Sequence, residues 1–281
     1  MPFMERAGKP AIHYELDDYT DPWKDAPYLL LQHGWGRSAR FWYCWVPYLS
    51  RFYKVVRPDL RGLGLSPRDF DVEKDLRLED YFGDLNALVD HLGAKSVHFC
   101  GESFGGVLGM AYAGEHPKRV RTLSIVSSPV HFQDDYRKIS SHGYESRMEA
   151  LRKMGVRAWA EASNVGRRFP ADADPGLLRW FVDETGKSDV DVLVAMYRWV
   201  SDFSAMKYLP RIEAPILGLY PTEGPIHGDE HMDALKAHAR NATIVRMPWR
   251  FHNIEHLARA ACAQHVLHFA AQHDGIACHE S

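Results

Sequence analysis

A chain of 281 residues can bury a full core, and its 34 basic and 37 acidic residues are spread along it to a formal net charge of -3. That balance leaves no electrostatic footprint for nucleic acid or an anionic membrane surface. No apolar run approaches the roughly 18 residues of a bilayer span, the opening "MPFMERAGKPAIHYEL" has no basic-then-apolar leader, and the four cysteines form no CxxC pair. These features predict a cytoplasmic protein with reduced thiols, monomeric or homodimeric, whose partner is a small neutral or amphipathic molecule, with no nucleic-acid or membrane partner.

In chain order, two extended pieces around "AGKP" predict a hairpin at a sheet edge. Short apolar, β-branched runs then predict strands at 28–32, 53–59, 96–101, 122–128, 215–220 and 243–248. Between the earlier ones, "ARFWYCWVPYLSRF", "LEDYFGDLNALVDHLG" and "GVLGMAYAGEHP" carry helical spacing, the last two ending in Gly or Pro. Such alternation places parallel strands centrally and helices on both faces.

The rhythm stops after Ser128 and resumes at "APILGLYP". Segments such as "YESRMEALRKMGVRAWAEA", "PGLLRWFVDETG" and "DVLVAMYRWVSDF" read as helices, with no central strand among them. The expected organisation is an α/β core, residues 1–128 and 209–281, interrupted by a helical lid at 129–208. A lid there would lie over the strand ends, where ligands collect in open α/β sheets. The final helix is expected around 257–272, with the tail "QHDGIACHES" frayed.

One stretch carries chemistry. In "FCGESFGGV", Ser103 stands among Gly101, Gly105 and Gly106, between a predicted strand and a predicted helix. Small neighbours permit a sharp, strained turn that lifts the hydroxyl to a helix N-terminus, where N–H groups steady a developing oxyanion. A serine hydroxyl needs a base. His252 is favoured among the sixteen histidines because it follows the last predicted strand by four residues and precedes the final helix. His256 is the rival. The histidines show no HExxH or other short metal spacing, so no metal site is expected.

Four motifs together resemble the α/β-hydrolase fold superfamily, in its serine esterase, lactonase and C–C-bond hydrolase branch. "LLLQHGWG" is similar to that family's oxyanion strand and loop, and "VVRPDLRGLGLS" to its next strand and turn. "CGESFGGVLGMAYAGEHP" resembles its nucleophile elbow and "MPWRFH" its histidine loop. The resemblance implies a mostly parallel, doubly wound sheet, an oxyanion hole from the backbone N–H groups of Trp35 and Phe104, and no cofactor. His33, Asp59, Arg61 and Ser66 are read as structural.

The third triad member should be a carboxylate after the next-to-last strand, but "YPTEGPIHGDE" puts Gly224 where the resemblance expects aspartate. Glu223, 29 residues ahead of His252, is the candidate, with Asp229 and Glu230 as alternatives. The strand before the lid offers Ser127 and Ser128 at the family's other acid position. Glu102 is expected to face away as a supporting or surface group. Trp35, Phe41, Trp159, Tyr197 and Trp199 are expected to line a pocket for an apolar or aromatic substrate.

The expected activity is therefore hydrolysis of a carboxylic ester or lactone, amides and carbamates included, through an acyl-enzyme. C–C-bond hydrolysis, lyase or cofactor-free oxygenase chemistry is the alternative. A binding protein that lost turnover is the third reading.

Overall fold

Runs of Leu, Val and Ile flanked by turn residues become strands buried on both faces, and their side chains alternate between two cores. A computed structural model describes residues 2–132, 140–223 and 229–279. Eight strands run β1 (Phe3–Arg6), β2 (Lys9–Asp17), β3 (Tyr28–Gln32), β4 (Lys54–Pro58), β5 (Val97–Glu102), β6 (Val120–Val126), β7 (Ile216–Pro221) and β8 (Ala242–Met247). Their order across the sheet is β1-β2-β4-β3-β5-β6-β7-β8. The β1–β2 hairpin is antiparallel and β2 joins β4 antiparallel; from β4 onward every pairing is parallel.

The helices are α1 (Val46–Leu49), α2 (Leu78–His91), α3 (Phe104–Glu115), α4 (Arg147–Met154), α5 (Val156–Asn164), α6 (Pro175–Thr185), α7 (Val190–Val200), α8 (Asp229–His238), α9 (Ile254–Leu257) and α10 (Arg259–Asp274). In β3, Leu30 joins the core beneath α2 and α3, whereas Leu29 and Leu31 join the core beneath α1 and α10. This is the two-sided cover that a mostly parallel, doubly wound sheet demands. No described helix is long and apolar enough to cross a membrane.

Strand order positions the site. The chain steps from β3 outward to β4, then crosses back to β5 on the other side of β3, so the strand order reverses there. Ligand sites in such sheets form beyond the strand C-termini at this reversal. Gln32 is in register with Gly101, so the loop leaving β3 and the turn leaving β5 emerge side by side.

Between β6 and β7 the described residues hold α4 to α7 and isolated bridges, His131 with Ser204 and Val165 with Phe169. The predicted helix over 144–162 is divided at Gly155, whose φ of 80° ends α4 and starts α5 at an angle. The predicted helix at 39–52 reduces to a 3-10 turn at Ala39–Trp42 and the single turn α1. The tail also differs from expectation: α10 runs to Asp274, which is fastened to the sheet. Its carboxylate accepts from Tyr53 Oη (3.2 Å) and His98 Nε2 (2.8 Å) and lies 2.6 Å from Arg121 Nη2.

Candidate active site

Ser103 connects β5 to α3 with φ 52° and ψ -119°, a conformation that non-glycine residues adopt only when their surroundings enforce it. Here they do. A β-carbon on Gly101 would strike the carbonyl of Gly105, and one on Gly105 would strike the carbonyl of Gln32. The glycines are thus required by close backbone approach. Phe104 opens α3, so its N–H has no acceptor within the helix.

The β3 loop lies against this turn. A β-carbon on Gly34 would stand 3.2 Å from Ser103 Cβ and 2.5 Å from Glu102 Oε2. His33 holds the loop through Nδ1, which donates to Gly34 O (2.8 Å), while Nε2 accepts from Leu60 N (3.0 Å). These partners define a neutral ring, and burial lowers its pKa in the same direction, against the opposing charge of Asp59. Asp59 accepts from Ala39 N, Leu65 N and His13 Nδ1. Arg61 is spent on Asp84, and Ser66 Oγ bonds Asp59 O and His13 N.

Ser103 and the buried His252 open into one cavity, shared with Trp35 and Phe104. Its other walls are Phe132, Arg147, Arg168, Tyr197 and Val200, with Arg37 at the back. The free space is small, ≈ 20 Å³, about that of one water. Larger cavities of ≈ 740 and ≈ 830 Å³ lie elsewhere, and neither is lined by Ser103 or His252. The backbone of the histidine loop is tied to the insert, His252 N donating to Arg167 O and Asn253 N to Arg168 O.

The expected acid is not beside this histidine. Glu223 is exposed, and its carboxylate lies 2.8 Å from Arg250 Nε, because the chain leaves β7 at the surface. Asp229 is paired with Arg246, and Glu230 lies 3.3 Å from His131. Gly224 lies outside the described residues. Ser127 and Ser128 are buried at the end of β6, and neither is an acid.

Glu102 does not face away, contrary to the sequence expectation. As the last residue of a strand buried on both sides it is 1% exposed, and its Oε1 stands 3.3 Å from His252 Nε2. Its Oε2 is 2.6 Å from Arg37 Nη1. The angles of these contacts are not those of hydrogen bonds, so the attraction is Coulombic. Arg37 Nη1 also donates to Glu255 Oε1 (3.0 Å) and Nη2 to Asn253 Oδ1 (3.1 Å). Burial alone would raise Glu255, but the His256 hydrogen bond and the charges of Arg37, His256 and His252 outweigh it and hold the carboxyl below its usual range. His256 is the partner of Glu255, at 3.2 Å.

Only part of the aromatic set faces the cavity. Trp35 and Tyr197 line it. Phe41 instead packs with Phe169 and Phe181 under the Arg37 guanidinium. Trp159 is buried against the outer side of Trp35, ring centroids 5.5 Å apart, and Trp199 packs edge-on to Phe104. Their bulk closes the insert onto the sheet, which is what large buried aromatics most often do. Arg147 was missed: its guanidinium sits over the rings of Tyr197, Trp35 and Trp159 at 4.4, 5.6 and 5.7 Å. The cue was present in "YESRMEAL", where an arginine falls on the inner face of an amphipathic helix.

Comparison with known proteins agrees with the fold. The sequence profile of the alpha/beta hydrolase fold matches residues 27–163. A protein of Stutzerimonas stutzeri named as a carbamate hydrolase, RutD, is 30% identical over 161 residues, 57% of either chain. The 2-hydroxy-6-oxo-2,4-heptadienoate hydrolase of Pseudomonas putida is 32% identical over 185 residues, 58% of this chain and 66% of that protein. The chain thus spans little more than half the length of the first of these relatives. The crystal structure of the enol-lactonase from Burkholderia xenovorans LB400 superposes with a TM-score of 0.84 at 23% identity, over 96% of this chain and 100% of that one. This chain therefore has the α/β-hydrolase fold, and its residues 27–163 match the sequence profile of that fold.

Proposed function

We propose that the chain is a serine hydrolase of small carboxylic esters or lactones. One observation carries the reading: a strained Ser103, forced into place by close-fitting glycines, opens into the same cavity as a buried histidine from the loop after β8. Ser103 Oγ attacks the substrate carbonyl as His252 takes its proton. The backbone N–H groups of Trp35 and Phe104 receive the oxyanion. His252 returns the proton to the leaving oxygen, and water releases the acyl group by the same steps in reverse. No step calls for a cofactor or metal.

Trp35, Phe104, Phe132 and Tyr197 give the cavity apolar walls, while Arg147 and Arg168 bring guanidinium donors to it. An aromatic or cyclic ester or lactone bearing a carboxylate or carbonyl oxygen suits both features. A space of ≈ 20 Å³ is far below the roughly 300 Å³ of a ligand site, so helices α4 to α7 act as a lid that shifts to admit substrate. The carbamate, lactone and dienoate substrates named for the relatives belong to the same carbonyl chemistry.

The test is turnover of p-nitrophenyl esters, aromatic lactones and a 2-hydroxy-6-oxo-dienoate by the wild type and by Ser103→Ala. Ester or lactone turnover that vanishes in the variant supports the reading. Cleavage of the dienoate alone would move the assignment to C–C-bond hydrolysis, which the Pseudomonas putida relative favours. Equal turnover by Ser103→Ala would overturn both, and no turnover of any substrate would favour a binding protein.

A further inference from the structure

A serine–histidine pair works best with a negative charge that steadies the imidazolium formed when the serine proton arrives. The carboxylate expected after β7 is at the surface. We propose that Glu102, fixed by Arg37, supplies that charge to His252 from the residue next to the nucleophile. The proposal rests on the serine-hydrolase reading.

Charge counting is the first support. Arg37 Nη1 lies 2.6 Å from Glu102 and 3.0 Å from Glu255, so two carboxylates share one guanidinium and the cluster keeps one net negative charge. Among the described residues, the ring against Glu255 is His256 and the ring against Glu102 is His252. On the insert side, Arg147 and Arg168 face the same cavity and oppose a positive ring. Behind Glu102 stand His33, held by Gly34 O and Leu60 N, and Asp59, held by Ala39 N, Leu65 N and His13. Glu102 thus lies within ion-pair reach of the His252 ring, and Glu255, which also interacts with that ring, adds to the negative charge around it.

Geometry is the second support. Nε2 of the His252 ring lies 3.3 Å from Glu102 Oε1. In the proposed mechanism the ring takes the Ser103 proton, so the Glu102 charge lies beside the group that becomes cationic. As the Ser103 O–H bond breaks, its electron pair forms the bond to the substrate carbonyl carbon and the proton goes to the ring. Glu102 exchanges no proton; the leaving oxygen takes it later. The missing side chain of Gly34 reserves the slot, because a β-carbon there would come 2.5 Å from Glu102 Oε2. Glu102 is thus a positioning residue, acting through His252.

The test compares wild type with Glu102→Gln, which keeps shape and removes charge. Measurements are kcat and KM on p-nitrophenyl acetate from about pH 5 to 9 and inactivation by phenylmethylsulfonyl fluoride. The expected result is a kcat lower by roughly 10²-fold with KM within about threefold, and parallel slowing of inactivation. The loss should therefore fall on kcat and on the inactivation rate rather than on substrate binding. Glu102→Asp should recover part of the rate.

A kcat within twofold, or a loss confined to KM, would sink the proposal while leaving the serine mechanism intact. Loss of the serine mechanism would show separately, as Ser103→Ala turning over like wild type. Should Glu102→Gln not fold, Glu102→Asp, which keeps the charge but draws it back from His252, is measured the same way. It is expected to lower kcat more than KM, and an unchanged kcat would overturn the proposal.

Discussion

Two corners of this molecule leave the sheet in the same direction and behave oppositely. At the β5–α3 corner every residue is fixed: three glycines are pressed against carbonyls and Ser128, Ser103 is held at φ 52°, and Glu102 is buried. At the β7 corner the chain reaches solvent at once and Glu223 pairs with an exposed Arg250. A catalytic group needs the first kind of setting, because a side chain free to rotate cannot hold a reacting atom to within a fraction of an ångström. The contrast teaches that the charge serving His252 is best sought at the crowded corner, whatever the loop after β7 contains.

The comparison can be broken most forcefully at the serine. Ser103→Ala should lower kcat on the best ester by at least roughly 10³-fold with an unaltered melting temperature. A residual rate above a tenth of wild type would mean that the crowded corner is not the reacting one. Next, Gly105→Ala drives a β-carbon into the carbonyls of Gln32 and His33. Denaturant unfolding should show a loss of roughly 2–4 kcal/mol, with activity largely gone. A stable, active variant would mean that the β3 loop is not clamped to the elbow.

A smaller effect sharpens the β7 side. His231 on α8 has its pKa lowered by burial from 6.5 to about 4, the nearby Glu230 charge acting the other way. The unfolded chain therefore binds the extra proton first as pH falls. Stability is full above 6.5 and is lost progressively between 6.5 and about 4. In urea titrations the wild type should lose up to roughly 3 kcal/mol across that window, and His231→Gln should lose less. Identical pH slopes would remove His231 from the account. The smallest effect is expected at Glu223→Gln: kcat within about twofold of wild type, as for other exposed ion pairs. A fall of orders of magnitude would reinstate Glu223 as the partner of His252 and reverse the comparison.

Much of the fold was legible because parallel strands are written in short β-branched runs. The run "YLLLQ" becomes β3 with the predicted bounds, and the other strands shift by one or two residues. The serine turn was legible because glycine spacing records backbone contact. Charge placement was not. Motif position and a spacing of 29 residues to His252 point to Glu223, but neither says which way a surface loop turns. Glu102 could have been placed by a stricter reading: in a strand covered on both faces no side chain points to water, so its carboxylate had to find cations inside. The aromatic residues illustrate another limit. Composition cannot tell a ring that lines a cavity, such as Tyr197, from one that backs it, such as Trp159.

The anchoring of Asp274 bears on how this polypeptide should be handled. One carboxylate receives donors from the segment before β4, from β5 and from β6, so the last helical turn works as a rivet across neighbouring strands. Trimming the chain at residue 272 would strip two buried donors, Tyr53 and His98, and the exposed Arg121 of their acceptor at once. Fusion partners attached beyond Gly275, where φ of 66° turns the backbone away from the helix, would leave the rivet in place.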